Sequence, residues 1–351
     1  MRKNKMGRKL NIEKWLNQFR PIEIDEKFVV EEKYDELTMS GDDYLGGRLD
    51  KKFVRCDRVV VEELVREIAN NPNSTYISYL NDAIRDGAIP QMVSILKKEH
   101  IAKGIAKRES VASRILNYFG VPTSYNFVVV GEEDNQSNIK YGGSVDFIGK
   151  NQRFYSLQDL RVVETDDIDI IIEAIRKRIT ETFKFDSEEE KQRNIDKVID
   201  DYVLTFLVRK YLFRDEDFYH RNFGVLYNEK THELQFVNYD YEFCMDMCWV
   251  GFKDLHESLY NTTLYIRQKY PHVYEKFMAK VNEIYEAYLV YGLEKTSKFN
   301  RFSLFYNDMC TIGENAESVI KHNKLITRKE KIRRLIRRVT GKTNNSEISK
   351  Q

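Results

Sequence analysis

The order of patterns along the chain predicts an α+β fold, a smaller β-containing part first and a larger, mainly helical part after it. Three observations point there. Up to about residue 160, short strand-like apolar runs alternate with short helical stretches, and from Ile168 the apolar spacing turns helical and stays so. One strand pair interrupts the helical part: Phe223 to Tyr227, a polar turn at Asn228 to Thr231, then Leu234 to Tyr239. The 42% hydrophobic content, with 22 Tyr and 20 Phe in 351 residues, is enough for real cores.

In order, Leu10, Ile12, Trp15, Leu16 and Phe19 recur at helical spacing before Pro21, which ends a short amphipathic helix. Phe28 to Arg58 reads as two or three strands with turns at Ser40-Gly41 and Gly46-Gly47, and Val59 to Ala69 has the period of a helix. Val93 to Lys97 has the look of a short strand ending in lysine, yet Pro90 could equally open a helix there. Ile101, Ile105, Ala112, Ile115, Leu116 and Phe119 share one helical face, and Gly120-Val121-Pro122 stops that helix. Tyr125 to Val130 is a strand, Glu132 to Asn138 a polar loop, and Gly142 to Ile148 a returning strand.

The helical part begins with Ile171, Ile172, Ile175 and Ile179, then a longer helix from Ile195 to Leu212. Trp249 to Tyr265, Pro271 to Tyr291 and Phe302 to His322 complete it, their aromatic stripes serving as core. The resulting division is 1–90, an N-terminal extension or part of the small lobe; 91–160, the rest of the small lobe; 161–322, the helical lobe; and 323–351, a basic helix and tail.

Charge and cysteines narrow the class. A net charge of +1 hides eleven Lys or Arg against two Glu from Lys321 onward, a local +9 that leaves −8 on the rest. Such a tail can touch nucleic acid, lipid or an acidic partner. Leu325, Ile332, Leu335, Ile336 and Val339 give it an apolar helical face, so a terminal helix packed on the body is the simpler expectation. No run of about 18 apolar residues exists and the N-terminus lacks a signal-peptide core, so a cytoplasmic protein with no membrane insertion is expected. Cys56, Cys244, Cys248 and Cys310 have no zinc spacing and read as reduced core thiols.

The chemistry lies in FRDEDFYHRNFGVLYNEKTHELQFVNYDYEF, residues 213–243. Asp217 is followed by Asn222 five positions on and by Asp240 eighteen after that. An Asp beside a hydroxyl can accept its proton, while an amide oxygen and a second carboxylate can hold the Mg²⁺ that bridges nucleotide phosphates. The strand pair would bring Asn222 and Asp240 to one end. His220 alone is more simply a structural hydrogen-bonding group than a base.

D-x-x-x-x-N-F-G-V-L, with a further Asp eighteen positions after the Asn, resembles the catalytic segment of HipA-like kinases, bacterial serine/threonine kinases known from toxin–antitoxin pairs. That resemblance implies a two-lobed protein-kinase-like fold, with Asp217 as catalytic residue, Asn222 and Asp240 as metal ligands, and ATP and Mg²⁺ as cofactors. It also implies a protein substrate and an antitoxin-type partner, through which nucleic acid would be met indirectly. EsvASrILnyFGVP resembles the family's αC helix, which gives Glu109 the role of pairing the ATP-binding lysine. Lys97 stands where that lysine is expected, with Lys98 and Lys103 as competitors. SVDFIGKNQRFYSLQDL resembles the lobe linker, and SGDDYLGG is either a plain turn or a nucleotide-covering loop. One departure is that His220 lies three residues after Asp217, where many relatives carry His at two. Asp240-Tyr241-Glu242 also resembles the I-D-x-E ending of aminoglycoside and choline phosphotransferases. A small-molecule phosphotransferase and a catalytically inactive pseudokinase therefore stand as alternatives.

Overall fold

The structure is a computed structural model that describes residues 12–31, 51–56, 66, 75–77, 93–98, 104–133, 136–145, 147–148, 151–215, 217–241, 254–293 and 304–340. The expected helix at Val59 to Ala69, apart from residue 66, lies outside the described residues, as do the Ser40 to Gly47 turn, Lys103, Cys244 and Cys248.

The α+β division is present. A six-stranded sheet has the order β1-β7-β8-β5-β3-β2, from β1 (Glu23–Asp25), β2 (Val29–Glu31), β3 (Lys51–Cys56), β5 (Val93–Lys98), β7 (Asn126–Glu133) and β8 (Gln136–Val145). All its ladders are antiparallel except β1 with β7. A five-stranded sheet, β4-β6-β11-β10-β9, joins β4 (Tyr76–Ile77), β6 (Thr123–Ser124), β9 (Gln152–Ser156), β10 (Phe223–Asn228) and β11 (Leu234–Asn238). Val93 to Lys98 is a strand, not the start of a helix, because β3 and β8 satisfy its backbone on both sides. The polar stretch expected as a loop from Glu132 is shorter: β7 runs to Glu133 and β8 restarts at Gln136. Polar side chains do not prevent pairing, since the ladder uses backbone groups.

Six residues, Ile12–Asn17, form α1, whose end packs Trp15 and Phe19 edge-on against Tyr118. Helix α2 (Ile105–Phe119) lies on the larger sheet; it stops at Gly120, whose φ of 79° places it in the left-handed region that glycine adopts freely. Ser110 and Ser113 hydroxyls donate to the carbonyls of Asn126 and Ser124 at 2.8 and 2.6 Å, fixing α2 to β6 and β7. Two glycines of β8 let the neighbours come close. A Cβ at Gly143 would lie 2.2 Å from the Phe127 ring, and one at Gly142 would lie 3.2 Å from Ala106 Cβ.

The helical part contains α3 (Ile168–Thr182), α4 (Glu188–Phe206), α5 (Asp254–Lys269), α6 (Pro271–Leu293) and α7 (Leu304–Thr340). Helix α4 starts on a capping serine, Ser187, whose hydroxyl accepts the Glu190 amide at 3.1 Å, with three glutamates in the first turn at the positive end of the dipole. Its apolar residues Ile195, Val198, Ile199, Tyr202 and Val203 join α2, α3, α6, α7 and the β10–β11 pair in one core. Helix α7 runs unbroken through residue 322, its inner face joins the core, and three described positions of the apolar face expected beyond His322 are exposed. Ile326 is buried, but Leu325, Ile332 and Leu335 are 46, 57 and 61% exposed. Periodicity identifies such a face; it does not say what covers it. Among the described residues no helix is long and apolar enough to cross a membrane.

Asp201, on α4, is half-buried, and its enclosed Oδ2 has no hydrogen-bond partner. Burial pushes its carboxyl up to about 7, against the pull of Lys197 and Lys276. A raised folded pKa means that the ionised form costs stability above about pH 7, and that the cost fades as pH falls toward the ordinary value of 3.8. Asp201→Asn should therefore raise the melting temperature at pH 8. The gain should shrink through pH 7 and vanish near pH 4, as read by thermal melts across that range.

Candidate active site

The polar constellation of the sequence assembles where α4 hands the chain to the β10–β11 hairpin. After Phe206 the winding widens into a π-helix, Leu207–Phe213, with six of its seven residues buried, and it ends at Arg214 in the left-handed conformation, φ 58°. Segments of this winding recur at functional sites. Here it directs Arg209 into the core.

Arg209 is fully buried, which a guanidinium tolerates only with its donors placed. Its Nε and Nη2 donate to Asp215 Oδ2 at 2.6 and 2.5 Å, and Nη2 also donates to the Asp240 carbonyl at 2.9 Å. The rings of Tyr241, Phe218 and Phe223 lie 5.2 to 5.9 Å from the guanidinium carbon, within cation–π range. The other oxygen of Asp215 accepts the Asp217 amide at 2.9 Å. One buried ion pair thus holds the backbone on both sides of the site.

Asp217 is half-buried and well donated to. Asn222 Nδ2 gives hydrogen bonds of 2.8 Å to both its Oδ2 and its carbonyl, and Arg221 Nη2 reaches Oδ1 at 3.1 Å. Burial raises the Asp217 pKa above the ordinary carboxylate value. The Asn222 hydrogen bond opposes this, the Asp240 charge adds to it, and Arg221 and Asp215 make smaller, opposite contributions. That Asp240 acts on Asp217 means the two carboxylates share one neighbourhood. The hairpin explains why: β10 and β11 pair from Phe223↔Asn238 to Tyr227↔Leu234, and the Tyr239 amide donates to the Asn222 carbonyl at 3.1 Å. Asp240 follows at once, with φ 63°, a left-handed conformation that costs a non-glycine residue about 1 kcal/mol or more and that collects at functional sites.

Glu109 of α2 reaches the same place from the other sheet. It is 4% exposed, and its Oε1 accepts the amide of Tyr241, the residue after Asp240, at 3.4 Å. Its Oε2 lies 3.3 Å from where a Cβ of Gly142 would stand. Gly142 pairs with Lys97 across the β5–β8 ladder. Directly paired residues of an antiparallel ladder lie on the same face. Position 97 is therefore on the face that α2 covers, whereas Lys98, paired with Tyr141, is on the opposite one.

His220 is a structural residue. Its ring Nδ1 is 3.1 Å from the Val162 carbonyl, its amide donates to Glu164 at 3.0 Å, and burial lowers its pKa. A pocket of about 350 Å³ is lined by Gln158, Val162, Glu164, Tyr219, His220 and Arg221. Among the described residues no group of three or more His, Cys, Asp or Glu is placed to hold a metal ion. Arg209 and Asp215 escape the sequence reading. The signal for the first was an arginine inside the apolar run from Val203 to Phe213, where each turn faces core.

No protein-family model and no curated protein matches the chain. Among solved structures it is similar to the Helicobacter pylori proinflammatory kinase CtkA, with 13% identity and a TM-score of 0.42, over 68% of this chain and 92% of that one.

Removing one partner of a buried ion pair leaves the other charge unpaired and costs about 3–5 kcal/mol. Arg209→Ala should destabilise by that amount in denaturant unfolding, as should Asp215→Ala. The double variant should lose clearly less than the two single losses added.

Proposed function

We propose that the chain is an ATP- and Mg²⁺-dependent phosphotransferase acting on an alcohol, of the HipA-like serine/threonine kinase kind, with a protein hydroxyl as acceptor. The observation that carries this reading is the convergence of Asp217, Asn222 and Asp240 at one end of a hairpin, with Glu109 bound to the backbone next to Asp240. Asp217 orients the acceptor hydroxyl and takes its proton as the oxygen attacks the γ-phosphorus; the bond to the β-phosphate oxygen breaks and ADP leaves. Its raised pKa makes it a better proton acceptor than an exposed aspartate.

The donor set suits Mg²⁺, which prefers oxygen and is commonly held by one or two carboxylates together with substrate phosphates. Asn222 commits its nitrogen to Asp217, so its oxygen is the atom to offer, and Asp240 adds a carboxylate whose repulsion of Asp217 a cation would relieve. When bound, the ion neutralises charge on the phosphates. Lys97 is assigned the cation for the α/β-phosphates, with Glu109, on the helix that covers that sheet face, as its partner in this reading.

The test is transfer of labelled γ-phosphate from ATP with Mg²⁺. Asp217→Ala should retain nucleotide binding and lose transfer by about 10²-fold or more, and Asp240→Ala should lose Mg²⁺-dependent binding. Full turnover in Asp217→Ala would sink the assignment. Label appearing on a small alcohol and never on protein would move the acceptor to the aminoglycoside or choline class.

The pH profile gives a second check. The base works deprotonated, so a raised pKa places the acid limb above the ordinary Asp range, with activity falling as pH drops through it. Arg221→Gln removes a cation that lowers the Asp217 pKa and should move that limb to still higher pH.

A further inference from the structure

The outer half of α7 carries a pattern that phosphotransfer does not use. Its inner face is held to the body: Ile326 is buried, Tyr274 donates to Asn323 Oδ1 at 3.0 Å, and Arg267 reaches Thr327 at 3.0 Å and Glu330 at 3.6 Å. Leu325, Ile332 and Leu335 stand on the outer face, all exposed, and no described residue covers them. Their spacing is that of a heptad repeat, with Leu325, Ile332 and Val339 at one seam position and Leu335 at the other. The positions flanking that seam on one side are Lys324, Lys331 and Arg338, all basic.

We propose that this face is a docking surface for an acidic amphipathic helix of a partner protein, which would pair with α7 as a short coiled coil. Apolar side chains of that helix would cover the seam, and its Glu or Asp residues would meet the flanking Lys and Arg. Other occupants fit less well. A second copy would set basic flank against basic flank, and like charges across a seam repel. Nucleic-acid phosphates give the apolar stripe nothing to pack on. A bilayer wants a continuous apolar face, whereas Arg328 holds a seam position between Leu325 and Leu335, where a partner glutamate would neutralise it. The proposal does not depend on the reaction assigned to Asp217.

The experiment uses the full chain and, as probe, a labelled synthetic helix of three heptads with Leu and Ile at the seam and Glu on both flanks, followed by fluorescence anisotropy. Binding should weaken as salt rises. It should fall at least about tenfold in Ile332→Asp/Leu335→Asp, since buried seam side chains dominate such contacts, and likewise in Lys324→Glu/Lys331→Glu/Arg338→Glu. These seam positions are exposed, so melting temperature and γ-phosphate transfer should stay unchanged. Absence of probe binding would overturn the proposal. So would tighter binding to phosphatidylserine vesicles or duplex DNA lost in the same variants, or dimerisation of the chain alone that Ile332→Asp/Leu335→Asp abolishes.

Discussion

The buried Arg209–Asp215 pair is the interaction on which the arrangement of the site depends. An unpaired guanidinium in that core would cost several kcal/mol, so the surrounding chain must supply acceptors wherever the π-helix delivers it. It does so from two segments that are distant in sequence, the Asp215 carboxylate before the loop and the Asp240 carbonyl after the hairpin. Asp215 then passes the constraint on through its second oxygen to the Asp217 amide. The half-buried Asp217 and the left-handed Asp240 are both conformations that cost free energy, and both are anchored to this pair.

The second constraint comes from the sheet side. Helix α2 sits where two serine hydroxyls and the small residues Ala106 and Gly142 allow it, and that position carries Glu109 to the Tyr241 amide. A side chain of any size at Gly142 would push against Ala106 and Glu109. The larger sheet, α2 and the hairpin therefore meet through side-chain-to-backbone hydrogen bonds that local packing enforces.

Much of this was legible in the sequence because it rests on short-range signals. The β10–β11 hairpin follows from two apolar runs around a polar turn, and the position of Asn222 and Asp240 at its end follows from the hairpin. The stop of α2 was written in Gly120 followed by Pro122. Other features were hidden because they depend on long-range partners. Lys97 could be placed on a strand only once β3 and β8 were seen to flank it, and its face only from the register with Gly142. Arg209 stands in an apolar run, but only the π-helical winding sets which way it turns and what it meets. The exposed seam of α7 looks the same in sequence as a packed one.

Helix α7 also has a mechanical side. Its 37 residues make a rod about 55 Å long at 1.5 Å per residue. The inner part of the rod touches the π-helix directly: Asn315 Nδ2 donates to the Leu212 carbonyl at 2.9 Å, and His322 meets the Tyr211 hydroxyl. Leu212 lies three residues from Arg209 and five from Asp217. The exposed seam and the contacts to the winding that aims Arg209 therefore sit on one continuous helix.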